Sequence, residues 1–129
     1  MKLLLDTHVF LRLQSEPERL GDQLDLFADP RTTLVFSAAS SWEIALKHSL
    51  GKLPLPEPPA RYVPQRMRAI GAQPLPVEHA HALALAELPQ LHRDPFDRIL
   101  VAQARLLDLT IATADPQITR YPVPTLLVG

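Results

Sequence analysis

Short apolar runs alternate with longer segments of helical periodicity along this chain, and that alternation limits the folds it can adopt. Such a pattern is typical of βαβ units, in which helices connect neighbouring parallel strands. The predicted strands are residues 2–6, 33–37, 73–77, 110–113 and 125–128. We therefore predict an α/β fold built on a parallel sheet of four or five strands.

Helical spacing of apolar residues predicts the segments between these strands. The predicted helices cover residues 9–15, about 21–28, a segment from about 40 that stops at Gly51, about 60–70, 78–88 and 95–107. The stretch from Pro54 to Pro64 is predicted to be irregular or extended, because proline lacks the backbone N–H and fixes φ. In the last helix we predict a buried side made of Phe96, Ile99, Leu100, Leu106 and Leu107.

Composition narrows the class of protein. With 129 residues we expect a single domain over 1–129, and 47% hydrophobic with 21% charged residues is ordinary for a soluble globular chain. The net charge of −1 provides no overall positive field, so a nucleic acid would have to be held by local basic groups and metal. The lack of cysteine excludes disulfides, zinc–thiolate sites and a thiol nucleophile.

The sequence also predicts where the protein works. No apolar stretch approaches the roughly 18 residues that a bilayer-spanning helix needs. The apolar start is interrupted by Asp6, too early for the core of a signal peptide. We therefore expect a cytoplasmic protein with no membrane partner.

Four acidic residues lie far apart in sequence but next to predicted strand ends or helix starts: Asp6, Glu43, Asp97 and Asp115. In an open parallel sheet, the carboxyl ends of strands and the following helix starts form one rim where ligands bind. Clustered carboxylates repel each other, and their oxygens suit Mg²⁺ or Mn²⁺. Such ions can activate water and neutralise phosphate, so metal-dependent phosphodiester hydrolysis is the leading chemistry.

Three of these acids also have a purely structural interpretation. Glu43 fits the third position of a capping box that begins at Ser40. Asp97 fits the same pattern behind Asp94 as N-cap, and Asp115 fits a turn or cap before a proline.

Asp6 is harder to explain structurally, because it follows three leucines of a buried strand, where an unpaired charge is costly. A salt bridge to Arg12, Lys47 or Arg98 is the structural alternative for this residue.

Other kinds of site are not supported. The sequence has no glycine-rich nucleotide motif, no G-x-S-x-G elbow and no second aspartate two residues after Asp6, as an aspartyl-phosphate phosphatase would have. His79 and His81 point in different directions on a helix, so we expect structural histidines rather than a zinc site.

Four segments together resemble the PIN-domain ribonucleases, specifically the VapC-type toxins of VapBC toxin–antitoxin pairs. They are Leu3-Leu4-Leu5-Asp6-Thr7-His8, the segment from Ser37 to Lys47, His92-Arg93-Asp94-Pro95-Phe96-Asp97-Arg98, and Thr113-Ala114-Asp115-Pro116. The resemblance runs nearly end to end. It implies a three-layer α/β/α domain with strand order 3-2-1-4-5.

The resemblance also implies a function. Asp6, Glu43 and Asp97 would bind Mg²⁺ or Mn²⁺, with Asp115 as the fourth acid, and RNA would be cut to leave 5′-phosphate and 3′-hydroxyl ends. A small VapB-like antitoxin would bury an apolar segment in a groove near the site. Exposed apolar helix faces in so short a chain further favour a homodimer.

Neighbouring polar residues are candidates for supporting roles. Thr7 and Thr113 are expected to orient Asp6 or Asp115 and bound water through their hydroxyls. Asp94 is expected to cap the helix, to hold a metal-bound water, or to do both. Three basic residues are candidate RNA phosphate contacts: Lys47, Arg93 and Arg98. Each group also has a structural interpretation. The hydroxyls fit strand propensity and a local turn bond, Lys47 fits an ion pair with Glu43 one helical turn away, and the arginines fit a solvated surface.

Two rival functions stay open at this point. The same carboxylates would serve a divalent-metal DNA nuclease or a phosphatase. A PIN-like fold kept only for binding protein or RNA is the non-catalytic alternative, and the complete set of acids argues against it.

Overall fold

Five parallel strands form the centre of the fold in the computed structural model, which describes residues 1–91 and 93–129. The strands are β1 (Lys2–Leu5), β2 (Thr33–Ser37), β3 (Gln73–Leu75), β4 (Thr110–Thr113) and β5 (Thr125–Leu127). Their order is β3-β2-β1-β4-β5. The predicted parallel sheet and its 3-2-1-4-5 order are confirmed. His92 of the predicted motif lies outside the described residues.

Helices cover both faces of this sheet, as the three-layer prediction requires. They are α1 (Thr7–Ser15), α2 (Leu24–Ala28), α3 (Ala38–Ser49), α4 (Pro59–Ile70), α5 (His79–Leu83) and α6 (Pro95–Leu107). Short 3₁₀ turns occupy Pro17–Gln23, Ala84–Glu87 and Ile118–Arg120.

The side chains of β1 alternate between the two layers. Leu3 and Leu5 pack against the layer of α1 to α4, whereas Leu4 packs against the layer of α6, and all three are fully buried. On the first side, the rings of Phe10 and Phe36 stack with centroids 4.0 Å apart. Because β1 is covered on both faces, its apolar run shows no polar alternation.

The start of α3 corrects one prediction. Ser37 is the N-cap, and its Oγ accepts a hydrogen bond from the Ala39 N–H at 3.0 Å. The capping box predicted at Ser40 is therefore wrong, and Glu43 is the sixth residue of the helix rather than the third. Its carboxylate is available for tertiary contacts.

Two further predictions are wrong: the extent of the irregular proline-rich stretch, and the burial of two leucines at the end of α6. The helix α4 begins at Pro59 and continues through Pro64, so the irregular stretch ends earlier than predicted, although Pro64 costs the helix one hydrogen bond. In α6, Leu106 and Leu107 are 49% and 42% exposed, so the buried side of this helix ends at Ala104.

Some element boundaries also differ from the predicted ones. The helix predicted over 21–28 is a 3₁₀ turn followed by α2, since Gly21 has a left-handed φ of 63° that interrupts it. The helix predicted over 78–88 divides into α5 and a 3₁₀ turn. Asp6 is the cap of α1 rather than the last residue of β1. Across the described residues, the structure contains no helix with the length and apolar character that a bilayer crossing requires.

Candidate active site

Asp6 lies at the carboxyl end of the central strand, where β1 turns directly into α1. Its Oδ1 accepts a hydrogen bond from the Val9 N–H at 2.8 Å, which caps the helix. Its Oδ2 accepts a hydrogen bond from Thr113 Oγ1 at 2.5 Å. The residue is 2% exposed, so a largely desolvated carboxylate is fixed by two neutral donors.

Thr113 connects the ends of two adjacent strands. Its hydroxyl donates to Asp6 and accepts a hydrogen bond from the Asp115 N–H at 3.0 Å. Asp115 Oδ1 in turn accepts from the Gln117 N–H at 2.9 Å, which is the turn that the sequence suggested. Asp115 is thereby oriented beside the end of β4.

Glu43 enters the same region from α3 and is 2% exposed. Its Oε1 accepts a hydrogen bond from Thr7 Oγ1 at 2.6 Å, and its Oε2 lies 2.5 Å from Lys47 Nζ. Thr7 therefore holds Glu43, whereas the sequence suggested that it would orient Asp6 or Asp115. The ion pair with Lys47 is the i,i+4 arrangement that the sequence left open.

Asp94 and Asp97 begin α6. Asp94 is the N-cap, and its Oδ1 accepts hydrogen bonds from the N–H groups of Phe96 and Asp97 at 2.9 and 3.3 Å. Pro95 fills the first helical position, where its missing N–H costs nothing. The cap fixes the first turn and so positions the side chain of Asp97.

Electrostatics show that the four predicted acids share one environment. Burial, followed by the charges of neighbouring carboxylates, raises the pKa of Asp97 from 3.8 to about 8. The contributing carboxylates are Asp94, Asp6, Glu43 and Asp115. Each of the three other predicted acids is thus near enough to oppose the ionisation of Asp97. Carboxylates that share a site raise one another's pKa in this way.

Two other groups in this cluster, Asp6 and Lys47, have pKa values that are shifted for separate reasons. Burial raises the pKa of Asp6, while the hydrogen bonds from Thr113 and Val9 and the charge of His8 oppose that rise. The hydrogen bond to Glu43 raises the pKa of Lys47, and the Glu43, Asp94 and Asp97 charges add to it.

The donor set fits a hard divalent cation in its chemistry. All four acids offer oxygen, two of them are buried, and their mutual repulsion favours a cation. Within residues 1–91 and 93–129, however, no three His, Asp or Glu side chains are already arranged as ligands of one ion. Binding an ion would therefore require the carboxylates to converge.

The basic candidates have different surroundings. Arg98 donates hydrogen bonds to Gln90 Oε1 at 2.8 Å and to the Leu85 carbonyl at 3.2 Å, so it ties α6 to the preceding connector. Arg93 is exposed just before the cap of α6. Among the described residues, no basic side chain forms a salt bridge with Asp6, whether Arg12, Lys47 or Arg98.

The sequence reading missed an aromatic contact beside the acids. The rings of Trp42 and Phe96 meet edge to face, with centroids 4.9 Å apart. Trp42 is 60% exposed although it precedes the buried Glu43, and Phe96 precedes Asp97. Glu43 and Asp97 each follow an aromatic residue directly, and this shared pattern is the sequence signal for the link between α3 and α6.

The buried histidine has a structural role, as expected. His81 Nδ1 accepts a hydrogen bond from the Glu78 N–H at 3.0 Å and lies 3.2 Å from Gln103 Nε2. Gln103 Nε2 also donates to the Pro76 carbonyl at 3.1 Å. These contacts fasten α5 to α6.

Comparison with known proteins decides the family. The sequence model of the PIN domain matches residues 3–124. The chain belongs to the PIN domain family. In one curated relative, ribonuclease VapC16 of Mycobacterium tuberculosis (strain ATCC 25618 / H37Rv), 53 residues are 60% identical to this PIN domain. That match covers 41% of this chain and 38% of VapC16, well under half of either protein.

Solved structures share the fold of this PIN domain. VapBC2 of Rickettsia felis, bound to a DNA fragment from its promoter, aligns with a TM-score of 0.70 and 15% identity over 100% of both chains. FitAcB of Neisseria gonorrhoeae aligns with a TM-score of 0.65 and 21% identity over 96% of both chains. DNA-bound VapBC of Salmonella typhimurium aligns with a TM-score of 0.64 and 16% identity, over 98% of this chain and 97% of that one. At these identities the likeness concerns the fold alone.

Proposed function

We propose that this PIN domain is a metal-dependent endoribonuclease, the toxin of a type II toxin–antitoxin pair. The observation that carries the proposal is the placement of Asp6, Glu43, Asp97 and Asp115 at the carboxyl edge of a PIN sheet, where the charges of the other three raise the pKa of Asp97. Support also comes from the 60% identity to a protein named as a ribonuclease, over 53 residues.

Each acid has a distinct task in this mechanism. Asp6 and Asp97 would hold the main Mg²⁺ or Mn²⁺, with Glu43 and Asp115 completing the site. The bound ion would supply a water of lowered pKa and charge compensation at the RNA phosphate. The protein orients this site through the hydrogen bonds of Thr113 to Asp6 and of Thr7 to Glu43.

Exposed basic side chains at the same edge of the sheet would contact the phosphate of the substrate. Arg93 is the exposed candidate, whereas Arg98 is held by Gln90 and Leu85. We place the proposed activity in the cytoplasm, as the sequence predicts.

The decisive experiment compares RNA cleavage by the wild type and Asp6→Asn, with Mg²⁺, with Mn²⁺ and with excess EDTA. Only the wild type with metal should cut RNA, and sequencing of the new ends should find 5′-phosphates. Cleavage by Asp6→Asn, or by the wild type in EDTA, would refute the mechanism. Matched DNA and chromogenic phosphate ester substrates distinguish the rival nuclease and phosphatase functions.

We further propose a small VapB-like antitoxin as the protein partner. VapBC complexes are among the structures that share this fold. A cavity of about 300 Å³ lies at the carboxyl ends of β2 and β3, on the same edge of the sheet as the acids. It is lined by Phe36, Ala38, Ser41, Met67, Pro74, Leu75 and Pro76. An apolar segment of the antitoxin would bind in this cavity. Co-expression with the product of a small adjacent gene should suppress RNA cleavage and yield a stable complex.

A homodimer is the remaining part of the proposal. Trp42 and Leu46 lie one turn apart on α3, Leu50 follows its end, and all three are exposed, at 60%, 39% and 59%. Light scattering should give twice the 14.4 kDa chain mass for the wild type and the monomer mass for Leu46→Glu. A wild-type monomer would refute this part alone.

A further inference from the structure

Lys47 brings a positive charge into the carboxylate cluster. It lies one helical turn after Glu43, so both side chains leave the same face of α3. Its Nζ is 2.5 Å from Glu43 Oε2, and the side chain is 36% exposed while that of Glu43 is 2% exposed. The pair is therefore much more shielded from water than an ordinary surface ion pair.

Glu43 has both oxygens engaged within the protein. Thr7 donates to Oε1 and Lys47 to Oε2, so the carboxylate already has a cation and a neutral donor. The same ammonium is attracted by Asp94 and Asp97. Lys47 thus supplies positive charge to three acids from two helices, as a metal ion among them would.

Asp6 differs from Glu43 in this respect. Its oxygens accept hydrogen bonds from neutral groups, the Val9 N–H and the Thr113 hydroxyl. Among the described residues it forms no salt bridge. Glu43 therefore has a cationic partner at hydrogen-bond distance, and in the described part of the chain Asp6 has none.

We propose that Lys47 replaces the second metal ion, so that the cluster binds one divalent cation, held mainly by Asp6 and Asp97. A second dication at Glu43 would have to displace the ammonium or lie against it, and like charges at contact distance repel strongly. This assignment rests on the proposed metal site and specifies its stoichiometry.

Titration with Mn²⁺ alone, followed by calorimetry and by the EPR signal of the free ion, tests the assignment without RNA. The wild type should bind one ion per chain. Lys47→Met leaves Glu43 buried and uncompensated, and should bind two. The double variant Glu43→Gln/Lys47→Met removes both charges of the pair and should bind one again. Lys47→Arg, which keeps the charge, should also bind one.

Lys2→Met is the matched control, because Lys2 is exposed at the opposite end of β1 from Asp6. It should bind one ion. Circular dichroism verifies that each variant is folded, and Mn²⁺ should raise the Tm of Lys47→Met more than that of the wild type. If Lys47→Met does not fold, Lys47→Gln takes its place, since it also removes the charge and leaves Glu43 intact, and it should bind two ions.

The outcomes separate this inference from the proposed function. Two ions per wild-type chain, or one ion bound by a folded Lys47→Met, would overturn the role of Lys47 and leave metal-dependent RNA cleavage standing. No Mn²⁺ binding to the wild type would overturn the metal site itself, and the role of Lys47 with it.

Discussion

Thr113 Oγ1 lies 2.5 Å from Asp6 Oδ2, a hydrogen bond between residues 107 positions apart in sequence. The bond crosses from β4 to the end of β1, and the same hydroxyl accepts from the Asp115 N–H. One side chain therefore positions two of the four acids.

Replacing Thr113 with valine tests that double role. Thr113→Val keeps the shape but leaves a buried Asp6 oxygen without its donor, so we expect a loss of about 1–3 kcal/mol in the free energy of unfolding. RNA cleavage should fall about 10–100-fold, as for other groups that orient metal ligands. Denaturant unfolding and initial rates measure the two effects.

Thr113→Ser and Thr110→Val are the controls for this variant. Serine keeps the hydroxyl and should retain most activity, and Thr110 lies at the start of the same strand, away from the acids. Equal activity of Thr113→Val and Thr113→Ser would contradict the positioning role.

Asp6→Asn should abolish RNA cleavage and leave the fold intact. Asparagine also caps helices, so the Val9 N–H keeps an acceptor, and the buried charge is removed. We expect a Tm close to that of the wild type. Asp22→Asn, at an exposed acid of the first 3₁₀ turn, should cut RNA at the wild-type rate. Thermal unfolding and RNA cleavage are measured for the wild type, Asp6→Asn and Asp22→Asn. Substantial cleavage by Asp6→Asn would contradict the role of Asp6 in metal binding.

The raised pKa of Asp97 predicts how stability depends on pH without divalent metal. In the folded chain this pKa is about 8, against 3.8 for an ordinary aspartate. Between these values the folded chain holds a proton that the unfolded chain has lost, so stability must fall as pH rises through this window. Tm measured in EDTA should therefore decrease from pH 5 to pH 8. Asp97→Asn should show a smaller decrease, and equal slopes would contradict the raised pKa.

The raised pKa of Asp97 also predicts that metal binding releases protons. A cation must displace the proton that Asp97 holds below about pH 8, so Mn²⁺ affinity should increase with pH up to that value. Calorimetry at pH 7 in two buffers of different ionisation enthalpy measures the protons released. Asp97→Asn, if it still binds Mn²⁺, should release fewer. Affinity that is the same at pH 6 and pH 8 would contradict the prediction.

The sequence was sufficient to predict the sheet and the edge that the four acids share, but not the hydrogen bonds of these acids. Strand ends are visible as apolar runs that stop at an acid, and parallel topology brings such ends to one edge. The partner of Thr7 was predicted wrongly, because it depends on how α3 packs against α1. Glu43 was placed in a capping box because Ser40 and Ser37 are both good caps, and local sequence does not distinguish them. The exposure of Leu106 likewise depends on tertiary packing, which helical spacing alone does not specify.

The edge-to-face contact with Phe96 makes Trp42 an intrinsic fluorescence probe of the site. Trp42 is the one tryptophan in the sequence, so all of the tryptophan emission originates between α3 and α6, next to Glu43 and Asp97. A change in spectrum or lifetime during a titration would therefore report on this junction without any attached dye. Stopped-flow fluorescence could then time the arrival of ion, RNA strand or protein partner separately in unlabelled material.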